Sequence, residues 1–301
     1  MGISAPEKNP TLRERVIASE RFSLSNLLKK ADLFHRIASK LSSTAPLRTG
    51  SVTVVIPALN EAGNLEKLFE QICTACADLG KTFPVLVVDD GSTDESPEIL
   101  ARLSEQHSFL TVVRHPQRRG VAAVWQTALD NVKTKWIFWG QADLESDPAT
   151  DIPKLLRAYR PGVSAIAGWR QKRGDGKTQA SQLANRACQK AFGLEIHDMN
   201  WIKLVRKDAL EDLPIELITH RYLLAVLAGL GHSVVEVETP WHPRFSGVSN
   251  FGKKRLFTSA RDFLRVVTWF YISRPLTPYL KVVKNLKLGL KKRLLQLATN
   301  P

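Results

Sequence analysis

The chain has 301 residues, 44% of them apolar and 24% charged, an ordinary globular balance that excludes disorder throughout and suits one large domain with appendages. Lysine and arginine number 43 against 29 acidic residues, a net charge of +14. The excess sits at one end, where residues 253–293 hold twelve basic residues against one acid, Asp262, and a basic tail beside a near-neutral remainder points to a polyanionic surface, either anionic lipid or nucleic acid.

Residues 1–10 are polar and lack the apolar core of a secretory signal. No apolar run approaches the ~20 residues of a membrane span. Residues 1–50 read as an N-terminal helical extension and linker. One helix is expected after Pro10 and another after Ser23 or Ser25, with Leu27, Leu28, Phe34, Ile37 and Leu41 on one side. Residues 42–50, SSTAPLRTG, read as the linker.

The rhythm then changes. Val52 to Ile56 is a continuous β-branched run, the mark of a strand buried on both faces. Strands are expected again at 85–88, 110–113, 136–139, 163–167 and 234–237. Helices are expected between them at 60–79, 96–106, 120–131 and 151–159, then at 181–192 and 220–230. This alternation with short connections predicts an α/β fold: a doubly wound, mostly parallel sheet with helices on both faces. Cys73 and Cys76 form a CxxC, but they sit within the amphipathic pattern of Leu65, Leu68, Phe69, Ile72 and Leu79, so they read as helix core rather than redox or metal ligands. Three cysteines make no even disulfide set and suit a reducing compartment.

Ligands of open parallel sheets bind beyond the carboxyl ends of the strands, and three polar clusters fall there. Pro57-Ala58-Leu59-Asn60-Glu61 follows the first strand, with Pro57 ending it and Asn60 placed to cap the next helix. Asp89-Asp90-Gly91-Ser92-Thr93-Asp94 follows the second. Adjacent carboxylates repel, so base or ribose donors, or a metal, are expected to offset the cost; a glycine turn running into a helix cap is the plainer alternative. Gln141-Ala142-Asp143-Leu144-Glu145 follows the fourth. In extended backbone Gln141, Asp143 and Glu145 share one side and present oxygens to a hard cation, Mg2+ or Mn2+. A solvated acidic loop is the alternative there.

Together "VVIPALNE", "VLVVDDGSTDES" and "WIFWGQADLESDP" resemble the family 2 glycosyltransferases, of GT-A (Rossmann-like) fold, over residues 52–252. "AGWR", "HDMNWIKLVRKDALEDL" and "ETPWHPRFSGVSNFG" resemble the dolichyl- and polyprenyl-phosphate sugar synthase branch. The resemblance implies an inverting, metal-dependent hexosyltransferase that moves a sugar from a GDP- or UDP-linked donor to a lipid phosphate. It implies that Pro57, Asn60, Glu61, Asp89, Asp90, Gly91 and Gly120 bind the nucleotide sugar. Asp143 matches the metal-binding second acid of the family's DxD motif, with Glu145 facing the same metal. Arg170 and Arg244 match phosphate-binding arginines, whose planar forks suit that job. Two departures stand out: Gln141 replaces the first acid of the motif, and Arg118-Arg119-Gly120-Val121 replaces an Asn-x-Gly-Lys pattern. Two other readings are a glycan-hydroxyl acceptor and a catalytically silent nucleotide-sugar-binding relative.

The domain reading is therefore 1–50, 51–252 for the transferase, and 253–301 for basic amphipathic helices. In the last, Val283, Leu286, Leu290, Leu294 and Leu297 recur at helical spacing among lysines. Phe257, Phe263, Trp269, Phe270 and Tyr271 are expected in a headgroup zone. With no nucleic-acid module present, the tail reads as peripheral contact with an anionic membrane on its cytoplasmic face.

Overall fold

The computed structural model describes residues 49–171, 178–211, 213–218, 221–246 and 254–276. The expected N-terminal helices and the amphipathic helix of residues 281–297 lie outside these. The chain divides into two units, Met1–Ala45 with Arg160–Gly162, and Pro46–Tyr159 with Val163–Pro301. Of the first only Arg160–Gly162 is described, and Gly162 has a φ of 86°.

The second unit holds a seven-stranded sheet in the order β3-β2-β1-β4-β6-β5-β7. The strands are β1 (Val52–Ala58), β2 (Val85–Asp89), β3 (Leu110–Arg114), β4 (Trp136–Trp139), β5 (Val163–Arg170), β6 (Lys203–Arg206) and β7 (Ser233–Thr239). The helices are α1 (Ala62–Leu79), α2 (Ser96–Gln106), α3 (Val121–Asn131), α4 (Pro148–Arg157), α5 (Thr178–Phe192), α6 (Asp208–Glu211), α7 (Leu223–Gly229) and α8 (Lys254–Thr268), the last running into a π-turn at Trp269–Ser273. All neighbouring strands are parallel except β6, which is antiparallel to both β4 and β5.

Alternating side chains of the central strands feed two separate cores. Val55, Ile137 and Trp139 join Val88, Val124 and Trp125 on one face. Val54, Ile56, Trp136 and Phe138 join Leu65, Phe69, Ile72 and Val87 on the other. A strand sealed on both faces has no polar side, which is why these segments are unbroken apolar runs. On the first face Trp125 stacks on Trp139 with centroids 3.6 Å apart. Cys73 and Cys76 are free thiols within α1, which ends on left-handed Gly80, whose N–H donates to Ala77 O at 3.1 Å.

β6 has no counterpart in the sequence expectation. It is four residues long, and its first residue, Lys203, is fully buried, so the apolar run that marks a central strand is interrupted at its start. Two helix starts also differ. α4 begins at Pro148 rather than 151, because Asp147 caps it by accepting from Ala149 N–H at 3.1 Å and Pro148 presets the first turn. α1 begins at Ala62, and Asn60 does not cap it. β1 runs through Pro57 to Ala58, pairing Pro57 with Val88.

α8 packs against α7 and α5. Tyr222 Oη bonds Ser259 Oγ at 2.8 Å, and Phe192 meets Phe263 and Phe270 edge-on. Gly229 leaves room for Phe270, whose ring carbon would lie 2.8 Å from a Cβ there. The expectation of aromatics in a headgroup zone therefore needs correction for Phe263, Trp269 and Phe270, which pack against the core. The exposed large apolar groups of α8 and the segment after it are Leu264, Tyr271, Ile272 and Leu276; Phe257 lies among side chains the structure does not describe. Among the described residues no helix is long and apolar enough to cross a membrane.

Asp151, in the first turn of α4, is fully buried. Its Oδ2 accepts from Asp147 N–H at 3.0 Å, and Oδ1 has no hydrogen-bond partner. Burial raises this carboxyl from 3.8 to about 7. The folded chain thus keeps a proton that the unfolded chain loses, so the group costs stability as pH rises from about 4 to about 7. We expect a contribution of up to ~1.4 kcal/mol per pH unit in that window, removed in Asp151→Asn. Urea unfolding of both proteins across the window tests this, and parallel profiles would exclude Asp151 as the source.

Candidate functional site

Strand order turns back between β1 and β4: β1 leads outward to β2 and β3, while β4 begins the other side. This reversal opens a crevice at the carboxyl ends. The loops after β1, β2 and β4 gather there, joined by the ends of β5 and β7.

The first two loops are stitched together. Asn60 adopts a left-handed φ of 56°, a conformation Asn tolerates better than most side chains. Its N–H donates to Ser92 Oγ at 2.9 Å and its Oδ1 accepts from Thr93 N–H at 2.8 Å. Asp94 caps α1 from the neighbouring loop, accepting from Ala62 N–H at 3.1 Å, and also holds Ser96 N–H at 3.0 Å. Burial pushes the Asp94 carboxyl up, but these donors outweigh it and leave it below the usual range.

Asp89 and Asp90 point to different partners, which resolves their repulsion. Asp89, with 1% of its side chain exposed, accepts from Ser92 N–H at 2.9 Å and faces Arg114 Nε at 3.3 Å. Asp90 accepts from the N–H groups of Arg119 and Gly120, both at 2.8 Å, and lies 2.8 Å from His115 Nδ1. Both therefore shape the wall of the crevice, and Asp89 has almost no free surface for the base or ribose contact that the resemblance implies. Gly91 is obligatory: it has a φ of 77°, and a Cβ would come within 2.5 Å of the Gln117 carbonyl carbon.

The third loop carries the acids. Beyond Trp139 the backbone is not extended, as the alternation argument assumed: Leu144 is left-handed, at φ 58°. That strained residue buries its own side chain and still leaves Asp143 and Glu145 partly exposed on either side. Both meet Arg244. Its Nη2 lies 2.8 Å from Asp143 Oδ2 and its Nε 2.8 Å from Glu145 Oε1. Arg244 rides on a strap, residues 240–246, that follows β7. His242 N–H donates to Glu145 O at 2.9 Å, and Ser246 lies close enough that its Oγ would be 2.7 Å from a Cβ on Gly63. Lys67 lies over the Phe245 ring at 4.2 Å. Burial, then Glu145, raise the Asp143 carboxyl above its ordinary range against the pull of Arg244. Burial likewise raises Glu61, whose Oε2 accepts from Asn64 Nδ2 at 2.6 Å and which feels the charges of Asp143 and Arg244.

Arg170 is engaged elsewhere. Its Nε and Nη2 bind Asp198 at 2.5 and 2.9 Å, and the guanidinium lies over Trp201 at 4.5 Å. Lys203 is buried beside this pair, at the register position of Trp139 and Ala167. Burial lowers its ammonium to about 7, opposed by Asp198. Glu236 on β7 fixes the turn before β6 by accepting from His197 and Asp198 N–H groups at 2.8 Å each. Gly168 admits Trp201, whose Cδ1 would be 2.7 Å from a Cβ. Asp198, Lys203, His115 and Glu236 were not singled out from the sequence; Asp198 and Lys203 lie inside the "HDMNWIKLVRKDALEDL" stretch, but no spacing rule marks them.

The donor set fits a hard cation. Asp143 and Glu145 offer carboxylate oxygens, and Gln141 Oε1 is buried with no hydrogen-bond partner. Among the described residues no group of three or more His, Cys, Asp or Glu could hold a metal ion; a Mg2+-like ion takes one or two carboxylates and completes its shell with phosphates and water.

In sequence and in fold the chain is similar to known proteins. The profile of glycosyl transferase family 2 covers residues 53–214. Dodecaprenyl-phosphate galacturonate synthase of Rhizobium johnstonii is 28% identical over 240 residues, 76% of this chain and 70% of that protein. Undecaprenyl-phosphate 4-deoxy-4-formamido-L-arabinose transferase of Pseudomonas aeruginosa is 26% identical over 221 residues, 72% of this chain and 65% of its own length. In fold, the chain is similar to glucosyl-3-phosphoglycerate synthase from Mycobacterium tuberculosis in complex with Mn2+, UDP and glucosyl-3-phosphoglycerate (TM-score 0.55, 21% identity, 73% of this chain and 79% of that one). It is also similar to a mannosyltransferase from Pyrobaculum calidifontis in complex with GDP-Man and Mn2+ (TM-score 0.52, 21% identity, 81% and 78%). With a matched profile over more than half its length, and with its acids gathered at the switch point of the sheet, the chain belongs to glycosyl transferase family 2.

Proposed function

We propose that the chain is an inverting, metal-dependent glycosyltransferase that moves a sugar from a UDP- or GDP-linked donor onto a polyprenyl phosphate, with residues 51–252 as the transferase, flanked by 1–50 and 253–301. The observation that carries the reading is the meeting of Asp143, Glu145 and Arg244 at the carboxyl end of β4. Two relatives named for transfer involving polyprenyl phosphates support the acceptor class.

The loops of Pro57–Glu61, Asp89–Asp94 and Arg118–Gly120 form the wall against which the nucleotide lies. Asp90 holds that wall through the Arg119 and Gly120 amides. Asp143 and Glu145, with Gln141 Oε1, would hold a divalent cation, which would supply positive charge against the departing diphosphate. Arg244 presents a planar fork suited to phosphate oxygens. An acceptor phosphate oxygen attacks the anomeric carbon from the face opposite the donor diphosphate. The new C–O bond forms as the bond to the diphosphate breaks, and nucleoside diphosphate leaves. The acceptor is already anionic near neutral pH, so no general base must take a proton from it. This chemistry therefore tolerates Gln141, an uncharged oxygen donor, in place of an acid. Arg170, buried on Asp198, positions the end of β5 in this reading and touches phosphate only if that pair opens.

Asp143→Ala is expected to lower turnover at least ~100-fold, read with UDP- and GDP-sugars and a polyprenyl phosphate; unchanged turnover would refute the assignment. In wild type, the correct nucleoside diphosphate with Mn2+ at about 100-fold excess over Kd should raise the melting temperature by roughly 5–10 °C. No shift with either nucleotide would count against a donor site.

Membrane contact is part of the proposal. Leu264, Tyr271 and Ile272 are 64%, 54% and 56% exposed on the C-terminal helical segment, among the exposed basic residues Arg261, Arg265 and Arg274. Such a surface suits an anionic interface. The full chain should float with phosphatidylglycerol liposomes and not with phosphatidylcholine ones; equal recovery in the unbound fraction from both would exclude it.

A further inference from the structure

We infer that Arg244 is the resting counter-ion of the metal site: its guanidinium occupies the place of the cation until a diphosphate arrives to take it over. The inference rests on the donor-site reading above and concerns how that site is loaded. Two carboxylates two residues apart repel each other and need positive charge between them. The structure supplies it from within, through contacts of 2.8 Å to each acid from separate nitrogens of one fork.

The fork is placed to exchange partners. Its side chain is 30% exposed, against 8% for Arg170 in its closed pair with Asp198. The strap that carries it is held by contacts that do not involve the guanidinium: the His242 N–H to Glu145 O bond, Ser246 against Gly63, and Lys67 over Phe245. The guanidinium can therefore turn without the strap leaving. Leu144, left-handed between the two acids, keeps both of them available to one cation or one guanidinium.

Loading follows from this arrangement. A divalent cation entering alone must displace the guanidinium from both acids and leave it without an anionic partner. A cation entering with a nucleoside diphosphate gives the fork phosphate oxygens in exchange. Metal and diphosphate should then each tighten the binding of the other, by the same factor. No covalent step is involved.

Mn2+ binding to the full-length protein tests this, measured by calorimetry or by the electron-spin signal of free Mn2+. Wild type should bind Mn2+ alone weakly and at least ~10-fold more tightly with UDP or GDP present. Arg244→Gln should bind Mn2+ alone at least ~10-fold more tightly than wild type, and its coupling to the nucleotide should shrink. Its metal-free melting temperature should fall, with Mn2+ restoring it. Lys81→Gln removes the same charge from an exposed position beyond the far end of α1, away from the strap and the acids, and should bind Mn2+ as wild type does. If Arg244→Gln does not fold, Arg244→Lys carries the test: one ammonium cannot span both acids in the same way, so Mn2+ affinity should rise partway. Equal gains in the Arg244 and Lys81 variants would reduce the effect to net charge and overturn the inference, as would unchanged Mn2+ affinity in the Arg244 variants. Nucleotide-dependent Mn2+ binding that Asp143→Ala abolishes but Arg244→Gln leaves unaltered would sink this inference and spare the donor site. Mn2+ binding that neither nucleotide nor Asp143→Ala affects would overturn both.

Discussion

Three parallel strands, β1, β2 and β4, end at one edge of the sheet, and the site exists because acids must follow them there. Each strand is sealed on both faces by packing that is almost wholly apolar, so acids gather where the strands stop. Once gathered, the carboxylates of Asp89, Asp90, Asp94, Asp143, Glu145 and Glu61 require compensation. The protein supplies it from three sources: backbone N–H groups for Asp90 and Asp94, a guanidinium beside Asp89, and the Arg244 fork for the pair nearest the switch point. Uncompensated, these charges would oppose folding or keep their protons.

Much of the fold was legible because both-face burial writes itself as an unbroken β-branched or aromatic run. Val52 to Ile56 and Trp136 to Trp139 illustrate this, and the helices between them follow from apolar spacing. β6 was not legible, since it is short, antiparallel and begins with a buried lysine whose partner is set by tertiary packing. The start of α4 was within reach: Asp147-Pro148 is a cap followed by a first-turn proline. Of the site, the acids could be found from their position after a strand. Their partner could not, because Arg244 lies 99 residues from Glu145 and is brought there by the pairing of β7 with β5. The local partners of Asp89 and Asp90 were not legible either. Sequence shows two acids in a row, whereas only coordinates show that loop amides and Arg114 already occupy them.

The Arg170, Asp198 and Lys203 cluster works differently from the exposed fork. All three side chains are almost wholly out of water. Such a group gains little net stability over apolar packing, but losing one partner is costly. It suits a part of the structure that must not move. Its members come from β5, the turn before β6 and β6 itself, and so lock together the side of the sheet from which the strap departs.

That strap leaves from β7, which pairs only with β5 and forms the edge of the sheet among the described residues. The acids, by contrast, hang from β4, flanked on both sides by β1 and β6. Edge elements with half-exposed backbones open locally at lower free energy than central ones. The molecule therefore hangs its negative charge from a strand paired on both sides and brings its positive charge to the crevice from a strand paired on one side only, the margin where local opening costs least.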